Sequence, residues 1–124
     1  MRKKILSISY WVVLILLLVI LLFLKPKYIE TGSMKPTLSV GSLSIINPYN
    51  KPEVGDIAMY KVPGGYVIHR VIRIEDDGSY IFKGDNNATE DLRPIPVENV
   101  VGEELFHLNL VAPIIRVVLR LQDY

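Results

Sequence analysis

A serine, a histidine and an acidic loop are the groups in this chain that could carry out hydrolytic chemistry together. Ser33 lies in the segment Gly-Ser-Met-Lys-Pro-Thr at residues 32–37. A serine hydroxyl is a weak nucleophile until a neighbouring base takes its proton, and the developing oxyanion needs backbone N–H groups aimed at it. Gly32 permits a tight turn beside the hydroxyl, and Pro36 restricts the loop. Most serines in such turns are only turn residues, so Ser33 needs a base nearby to become a candidate nucleophile.

The chain offers two histidines as that base. His69 lies within a β-branched segment, and strand alternation predicts that Val67, His69 and Val71 share one face. A histidine on an apolar strand face is usually a hydrogen-bonded core residue, although a strand also holds a general base rigidly. His107 lies near the apolar C-terminal tail and has no acidic neighbour cluster, so we interpret it as structural.

The acidic loop at residues 83–91 supplies the third group. A buried carboxylate there could orient His69 and stabilise its imidazolium, and both Asp85 and Asp91 are candidates. One alternative is a solvated loop without function. A calcium loop is another, but the positions where that motif needs Gly and Glu hold Glu90 and Pro96. We therefore predict no metal and no organic cofactor.

The element in front of these groups is an uncharged run of twenty residues, Ile5–Leu24. At ~1.5 Å per residue a helix of this length reaches ~30 Å, the thickness of the hydrocarbon core of a bilayer. A cleaved signal peptide would have a shorter apolar core and a small-residue exit, which this run lacks. We expect a retained single-pass transmembrane helix. Three basic residues at positions 2–4 favour a cytoplasmic N-terminus and a main domain on the extracytoplasmic or lumenal side.

The remaining chain has strand chemistry. After a stiff exit at residues 25–27, short β-rich segments separated by turn signals suggest a mostly β fold, either a barrel or a sandwich. The predicted strands lie at residues 42–46, 56–62, 66–75, 79–83 and 100–107. The Asp-Asp-Gly segment at residues 76–78 predicts a hairpin between the third and the fourth of them.

Three regions follow from this pattern. Residues 1–27 form the N-terminal tail and anchor, 28–107 the β domain, and 108–124 an apolar C-terminal segment. That last segment is interrupted by Pro113, Arg116 and Arg120. It fits either a membrane-associated interfacial helix or a helix packed on the β domain.

Composition narrows the function classes. The chain has 124 residues and no cysteine, which excludes a disulfide framework and thiolate chemistry. Five of the 14 basic residues flank the apolar run, so the chain from residue 28 carries nine basic against 13 acidic residues, a net charge of −4. An acidic domain argues against nucleic acid as a partner.

Several motifs in order resemble those of the type I signal peptidases (peptidase S26), membrane-bound serine proteases that remove signal peptides from exported proteins. The similarity runs from the apolar segment to about Glu103. Its motifs are the nucleophile segment 32–37, the Gly-Asp-Ile segment 55–60, the histidine segment 68–72 and the Gly-Asp-Asn segment 83–91. The resemblance implies a small signal-peptidase-like β domain behind one transmembrane helix.

Histidine at position 69 is similar to the endoplasmic-reticulum and archaeal form of the family, whereas the common bacterial form has lysine at that place. The implied triad is Ser33, His69 and Asp91. Asp85 is then a supporting carboxylate that pairs with Arg70. Thr31 would help the Ser33 N–H bind the oxyanion. The chain lacks the large insertion of the lysine-type enzymes.

The resemblance implies a serine endopeptidase that cleaves signal peptides at the membrane surface, with preproteins as substrates and the bilayer as a partner. A secretion translocon is a further candidate partner. Two other functions remain open: a non-catalytic, membrane-anchored accessory or chain-binding β module, and a related protease with a narrow set of clients. A self-cleaving repressor-type protease is disfavoured by the apolar run and by His69.

Overall fold

The computed structural model describes residues 2–109 and, beyond them, Ile114, Val117 and Arg120. Residues 2–109 contain one α-helix and one antiparallel sheet. Helix α1 is Arg2–Phe23. The strands are β1 Lys25–Tyr28, β2 Leu43–Asn47, β3 Ile57–Val62, β4 Gly65–Ile74, β5 Tyr80–Lys83 and β6 Val100–Leu108, with a short 3₁₀ turn at Val97–Asn99. The six strands form a single sheet in the order β1-β2-β6-β3-β4-β5, and every neighbouring pair is antiparallel.

The mostly β prediction is confirmed, and five of the six strands lie within one or two residues of the predicted bounds. The prediction of a barrel or sandwich is wrong, because the described strands form one open sheet. The expected stiff exit at residues 25–27 is instead the edge strand β1, where Pro26 pairs with Ile45. Proline is tolerated there because an edge strand leaves one side without ladder hydrogen bonds.

The predicted membrane-spanning anchor is not confirmed: among the described residues, no helix combines the length and hydropathy required to cross a bilayer. The prediction for the C-terminal segment falls on residues 108–124. Leu108 ends β6, and most of the segment lies outside the described residues.

Two apolar clusters cover the two faces of the sheet, because alternate side chains of a strand point to opposite sides. On β3, Ile57 and Met59 join the first cluster, whereas Ala58 and Tyr60 join the second. Met34 and Leu38, from the loop between β1 and β2, are also buried in the first cluster. Further buried members of the first cluster are Ile29, Ile46 and Ile68, and of the second Val71, Tyr80 and Phe82.

Two hairpins fix the register of β3, β4 and β5. Pro63 and Gly64 join β3 to β4, and Gly64 adopts a φ of 90°, which favours glycine. The predicted hairpin at residues 76–78 joins β4 to β5, and Gly78 has a φ of 83°. The Asp77 carboxylate accepts hydrogen bonds from the Ser79 backbone and side chain. The first hairpin sets His69 opposite Ala58.

Candidate active site

The loop that carries Ser33 is fixed to the core on one side. Met34 is 1% exposed and Leu38 is fully buried, so the loop is anchored by apolar side chains next to the serine. Turn hydrogen bonds run from Lys35 N to Gly32 O at 3.2 Å and from Leu38 N to Met34 O at 3.0 Å. The Ser33 side chain therefore projects from a short, well-anchored turn.

His69 lies between Ser33 and Asp91. Its Nε2 is 3.1 Å from the Ser33 hydroxyl oxygen, and its Nδ1 is 2.7 Å from Asp91 Oδ2. Because an ionised carboxylate only accepts hydrogen bonds, Nδ1 carries the proton in the neutral ring and Nε2 has a free lone pair. The histidine is 7% exposed, and its strand holds it in place. This arrangement can move a proton from the Ser33 hydroxyl to Nε2.

Asp91 is held by two further contacts. Its backbone N–H donates to Phe82 O at 2.8 Å. The Tyr60 hydroxyl donates to Asp91 Oδ2 at 2.6 Å, so this oxygen accepts from both Tyr60 and His69. Burial, and then the hydrogen bond to Asp91, raises the pKa of the Tyr60 phenol well above its usual range, which keeps the hydroxyl protonated.

Tyr60 was missed in the sequence analysis. Alternation along the predicted strand 56–62 places it on the same face as Ala58. Only the pairing of Ala58 with His69 shows that this face also carries the histidine. The pairing register of β3 and β4 cannot be read from the sequence.

Asp85 lies in a different contact network. Arg70 Nε donates to Asp85 Oδ1 at 2.8 Å and Nη2 donates to Oδ2 at 2.6 Å, while the Thr37 hydroxyl donates to Oδ2 at 2.6 Å. The Arg70 guanidinium, and to a lesser extent Thr37, holds the pKa of the Asp85 carboxyl below its usual range. The same hydrogen bonds raise the pKa of the Arg70 guanidinium above its usual value. Asp85 thus ties the serine loop to β4 and is not the carboxylate against His69.

The acidic loop also binds the backbone of the serine turn. Asn86 N donates to Ser33 O at 2.8 Å, and Asn86 Nδ2 donates to Gly32 O at 3.1 Å. A Cβ atom on Gly84 would lie 2.6 Å from Ser33 O, so only glycine permits this approach. The sequence analysis did not find the contacts of Gly84 and Asn86.

Thr31 lies beside the candidate nucleophile. Its hydroxyl oxygen is 3.3 Å from the Ser33 hydroxyl oxygen. Its role at the oxyanion stays a prediction.

His107 has an acidic neighbour, contrary to the sequence interpretation. Its Nδ1 is 3.3 Å from Glu104 Oε1, and the buried Ser44 hydroxyl donates to the same oxygen at 2.7 Å. Glu104 and His107 are i, i+3 on β6, where a register shift brings them together. This cluster belongs to β2 and β6 and is separate from the contacts of His69.

A cleft of about 240 Å³ opens beside the Ser33 and His69 side chains. Its lining includes Thr31, Met34 and Ile68. In the part of the chain that the structure describes, no group of three or more His, Asp or Glu side chains could hold a metal ion.

Two comparisons with known proteins bear on the family of this chain. The family model described as "Signal peptidase, peptidase S26" matches residues 2–81, about two thirds of the chain. The chain belongs to this family of signal peptidases. The matched region contains Ser33 and His69 but ends before Asp85 and Asp91. The placement of the two aspartates therefore depends on the structure.

Curated relatives are similar over part of their length. A signal peptidase complex catalytic subunit of Candida tropicalis is 37% identical over 68 residues, covering 50% of this chain and 41% of the relative. Signal peptidase I W of Bacillus subtilis is 32% identical over 81 residues, covering 60% of this chain and 43% of the relative. The chain thus spans less than half of the length of these relatives.

Proposed function

We propose that this chain is a serine endopeptidase that cleaves signal peptides from exported preproteins. Ser33 is the nucleophile, His69 the general base and Asp91 the carboxylate that orients it. The continuous hydrogen-bonded path from the Ser33 hydroxyl through His69 to Asp91 carries this proposal. Membership of the signal peptidase family supports the choice of signal peptides as substrates.

The reaction follows from the contacts. His69 Nε2 takes the Ser33 proton as the hydroxyl oxygen attacks the substrate carbonyl carbon. The protonated ring gains a favourable interaction with Asp91, and it then gives its proton to the leaving amine. A water molecule gives a proton to His69 as its oxygen attacks the acyl-enzyme carbonyl carbon. The ester bond to Ser33 then breaks, and His69 returns the proton to the Ser33 oxygen as the new carboxylate leaves.

The oxyanion would lie at the serine turn. The Ser33 N–H is a suitable donor because it has no hydrogen-bond acceptor among the described residues. The Thr31 hydroxyl is next to the site and supplies a second donor when it rotates away from Ser33. The nearby cleft of about 240 Å³ suits small side chains before the scissile bond.

The reaction is also proposed to occur at a membrane surface. Helix α1 exposes apolar side chains along most of its length, for example Trp11 at 57% and Leu22 at 77%. An exposed apolar surface of this extent is typical of a segment that contacts another apolar phase. Because Lys25 follows α1 after one residue, the domain that carries Ser33 would remain close to the lipid.

Cleavage of a model preprotein by the detergent-solubilised full chain tests the activity. We expect cleavage by the wild type and a loss of roughly 10³-fold or more in Ser33→Ala and His69→Ala. Ser39→Ala, in the same loop, and His107→Gln are matched controls that should cleave at the wild-type rate.

Full activity of Ser33→Ala would exclude the assigned nucleophile. A wild-type chain that binds the preprotein without cleaving it, under conditions in which it is folded, would favour the non-catalytic chain-binding module.

A further inference from the structure

The buried Tyr60 hydroxyl contacts Asp91 but has no part in the reaction as described so far. Tyr60 is 3% exposed and lies on β3, beside the strand that carries His69. Its ring stacks on Phe82 with the centroids 4.3 Å apart, which fixes the direction of the hydroxyl. The hydroxyl donates to Asp91 Oδ2, the oxygen that also accepts from His69 Nδ1.

We propose that Tyr60 is a positioning residue that fixes the orientation of the Asp91 carboxylate beside His69 and limits how strongly this carboxylate attracts the imidazole proton. The inference rests on the proposed serine endopeptidase. Tyr60 touches neither substrate nor the reacting atoms, and it acts through Asp91.

The positioning follows from the number of contacts that Asp91 has. The carboxylate is on a polar loop, and the Asp91 backbone is tied to Phe82 O. Its side chain is about one fifth exposed, so water can compete for the carboxylate. A second donor from a rigid aromatic side chain removes much of this freedom, because Tyr60 and His69 together fix Oδ2 from two directions.

The electrostatic effect has a defined sign. A hydrogen bond from the Tyr60 phenol stabilises the negative charge on Asp91, so the carboxylate interacts less strongly with the proton on the His69 imidazolium. Without this donor, Asp91 would bind the protonated His69 more tightly. The unprotonated His69 ring, which acts as the general base, would then be present only at higher pH.

Tyr60→Phe tests the inference because it keeps the ring and removes only the hydroxyl. We expect kcat for preprotein cleavage to fall roughly 10-fold with KM unchanged, since a hydrogen bond to a charged group is worth about that factor. The acidic limb of the pH profile of kcat/KM should move to higher pH. Tyr80→Phe is the matched control. Tyr80 is also buried and stacked near Phe82, and among the contacts of the described residues it makes none to Asp91.

A second readout does not depend on activity. The proton on His69 Nδ1 is expected to give a downfield NMR resonance, assigned by its loss in His69→Gln. This resonance should move further downfield in Tyr60→Phe and stay in place in Tyr80→Phe.

The outcomes separate this inference from the proposed function. Wild-type cleavage with an unchanged Tyr60→Phe profile and an unmoved resonance overturns the role of Tyr60 and leaves the protease intact. A folded wild type without cleavage overturns the protease, and the inference about catalysis with it. Loss of kcat in both Tyr60→Phe and Tyr80→Phe would show a general packing effect and also overturns the inference.

Discussion

At the scale of single residues, two aspartates that lie six residues apart in the sequence have different contact partners. Asp91 meets the histidine ring, whereas Asp85 meets a guanidinium and a threonine hydroxyl. The difference lies in their partners: Arg70 gives Asp85 two donors with the fork geometry that suits a carboxylate. Asp85 is therefore an ionic link between the serine loop and β4, and Asp91 is the carboxylate in hydrogen-bond contact with His69.

Asp85 should make the free energy of unfolding depend on pH in the acidic range. The pKa of Asp85 is lowered in the folded protein, chiefly by Arg70. Ionised Asp85 therefore stabilises the fold at pH values above its pKa in the unfolded chain, which is about 4. This stabilisation is lost as the pH falls through the lower pKa of the folded protein. The free energy of unfolding of wild type should exceed that of Asp85→Asn at pH 7, and the gap should narrow below about pH 4. Denaturant titrations at several pH values measure it. A gap that is constant with pH would contradict the ionic role.

Two short loops build the site at the scale of elements. The serine turn is anchored through Met34 and Leu38, and the acidic loop is anchored through its contact with Phe82 on β5. The loops meet where Asn86 donates to Ser33 O. Neither loop is a regular element, so the sheet and its buried side chains set the position of Ser33.

Gly84→Ala should disturb this meeting point. The added methyl group would lie 2.6 Å from Ser33 O, so the serine turn must shift relative to the acidic loop, and this shift displaces Ser33 from its position beside His69. We expect kcat/KM for preprotein cleavage to fall roughly 10²-fold, because a misplacement of about 1 Å can cost that much. Thermal unfolding should show a smaller effect, since residues 84–91 of the acidic loop belong to neither apolar cluster.

Gly65→Ala is the matched control, because open space surrounds that position and its φ is not positive. Equal activity of Gly84→Ala and wild type would show that the close approach does not position Ser33.

Local patterns in the sequence predicted most of the sheet but not its arrangement. The β-branched run 66–75 and the turn at residues 76–78 gave the β4–β5 hairpin, because strand propensity and turn chemistry are local. β1 was missed because its first three residues, Lys-Pro-Lys, have low strand propensity and pair only with the distant strand β2. The open sheet was missed because strand order depends on non-local pairing.

The same limit applied to the candidate site. Ser33 and His69 could be singled out because their residue types and neighbours are unusual. The choice of Asp91 over Asp85 followed from a family resemblance, and the residues alone left both open. The contact of Tyr60 with Asp91 could not be predicted, because the two residues are 31 positions apart and three strands lie in this stretch of the chain.

The whole molecule combines a compact sheet with an exposed apolar helix. Phe82 is fully buried and stacks with Tyr60 and Tyr80, so it links the core to the residues around His69. A small domain has a net stability of only about 5–15 kcal/mol. The core that supports the site is therefore sensitive to single losses of packing.

Phe82→Ala should lower the free energy of unfolding by about 3–5 kcal/mol, because it leaves a cavity in a fully buried cluster. Denaturant unfolding of the full chain in detergent measures this change. Leu92→Ala, at a position 99% exposed, is the control and should change the free energy by less than about 0.5 kcal/mol. A loss below about 1 kcal/mol in Phe82→Ala would contradict a well-packed core at this position.

Helix α1 should bring the molecule to lipid. In a flotation assay with phospholipid vesicles, the wild type should move with the vesicles. A variant with Leu14, Leu18 and Leu22 replaced by Asn should stay in solution to a greater extent, because about 25 cal/mol of stabilisation is lost for each Å² of apolar area. All three side chains are exposed in the described structure. Equal flotation of both proteins would contradict the role given to α1.

The central claim is that Ser33 becomes acylated by the substrate, and trapping the acyl-enzyme tests it most directly. The full chain would be mixed with a model preprotein, quenched in acid within the first turnover and digested, and the peptide containing residue 33 analysed by mass spectrometry. We predict that Ser33 in this peptide carries, as an ester, the acyl group of the N-terminal cleavage fragment or of the part of it that remains after digestion, a mass gain equal to that acid less one water. The adduct should be absent in His69→Ala. Cleavage of the preprotein with the adduct on another residue, or with no adduct on Ser33 at any quench time, would contradict the account.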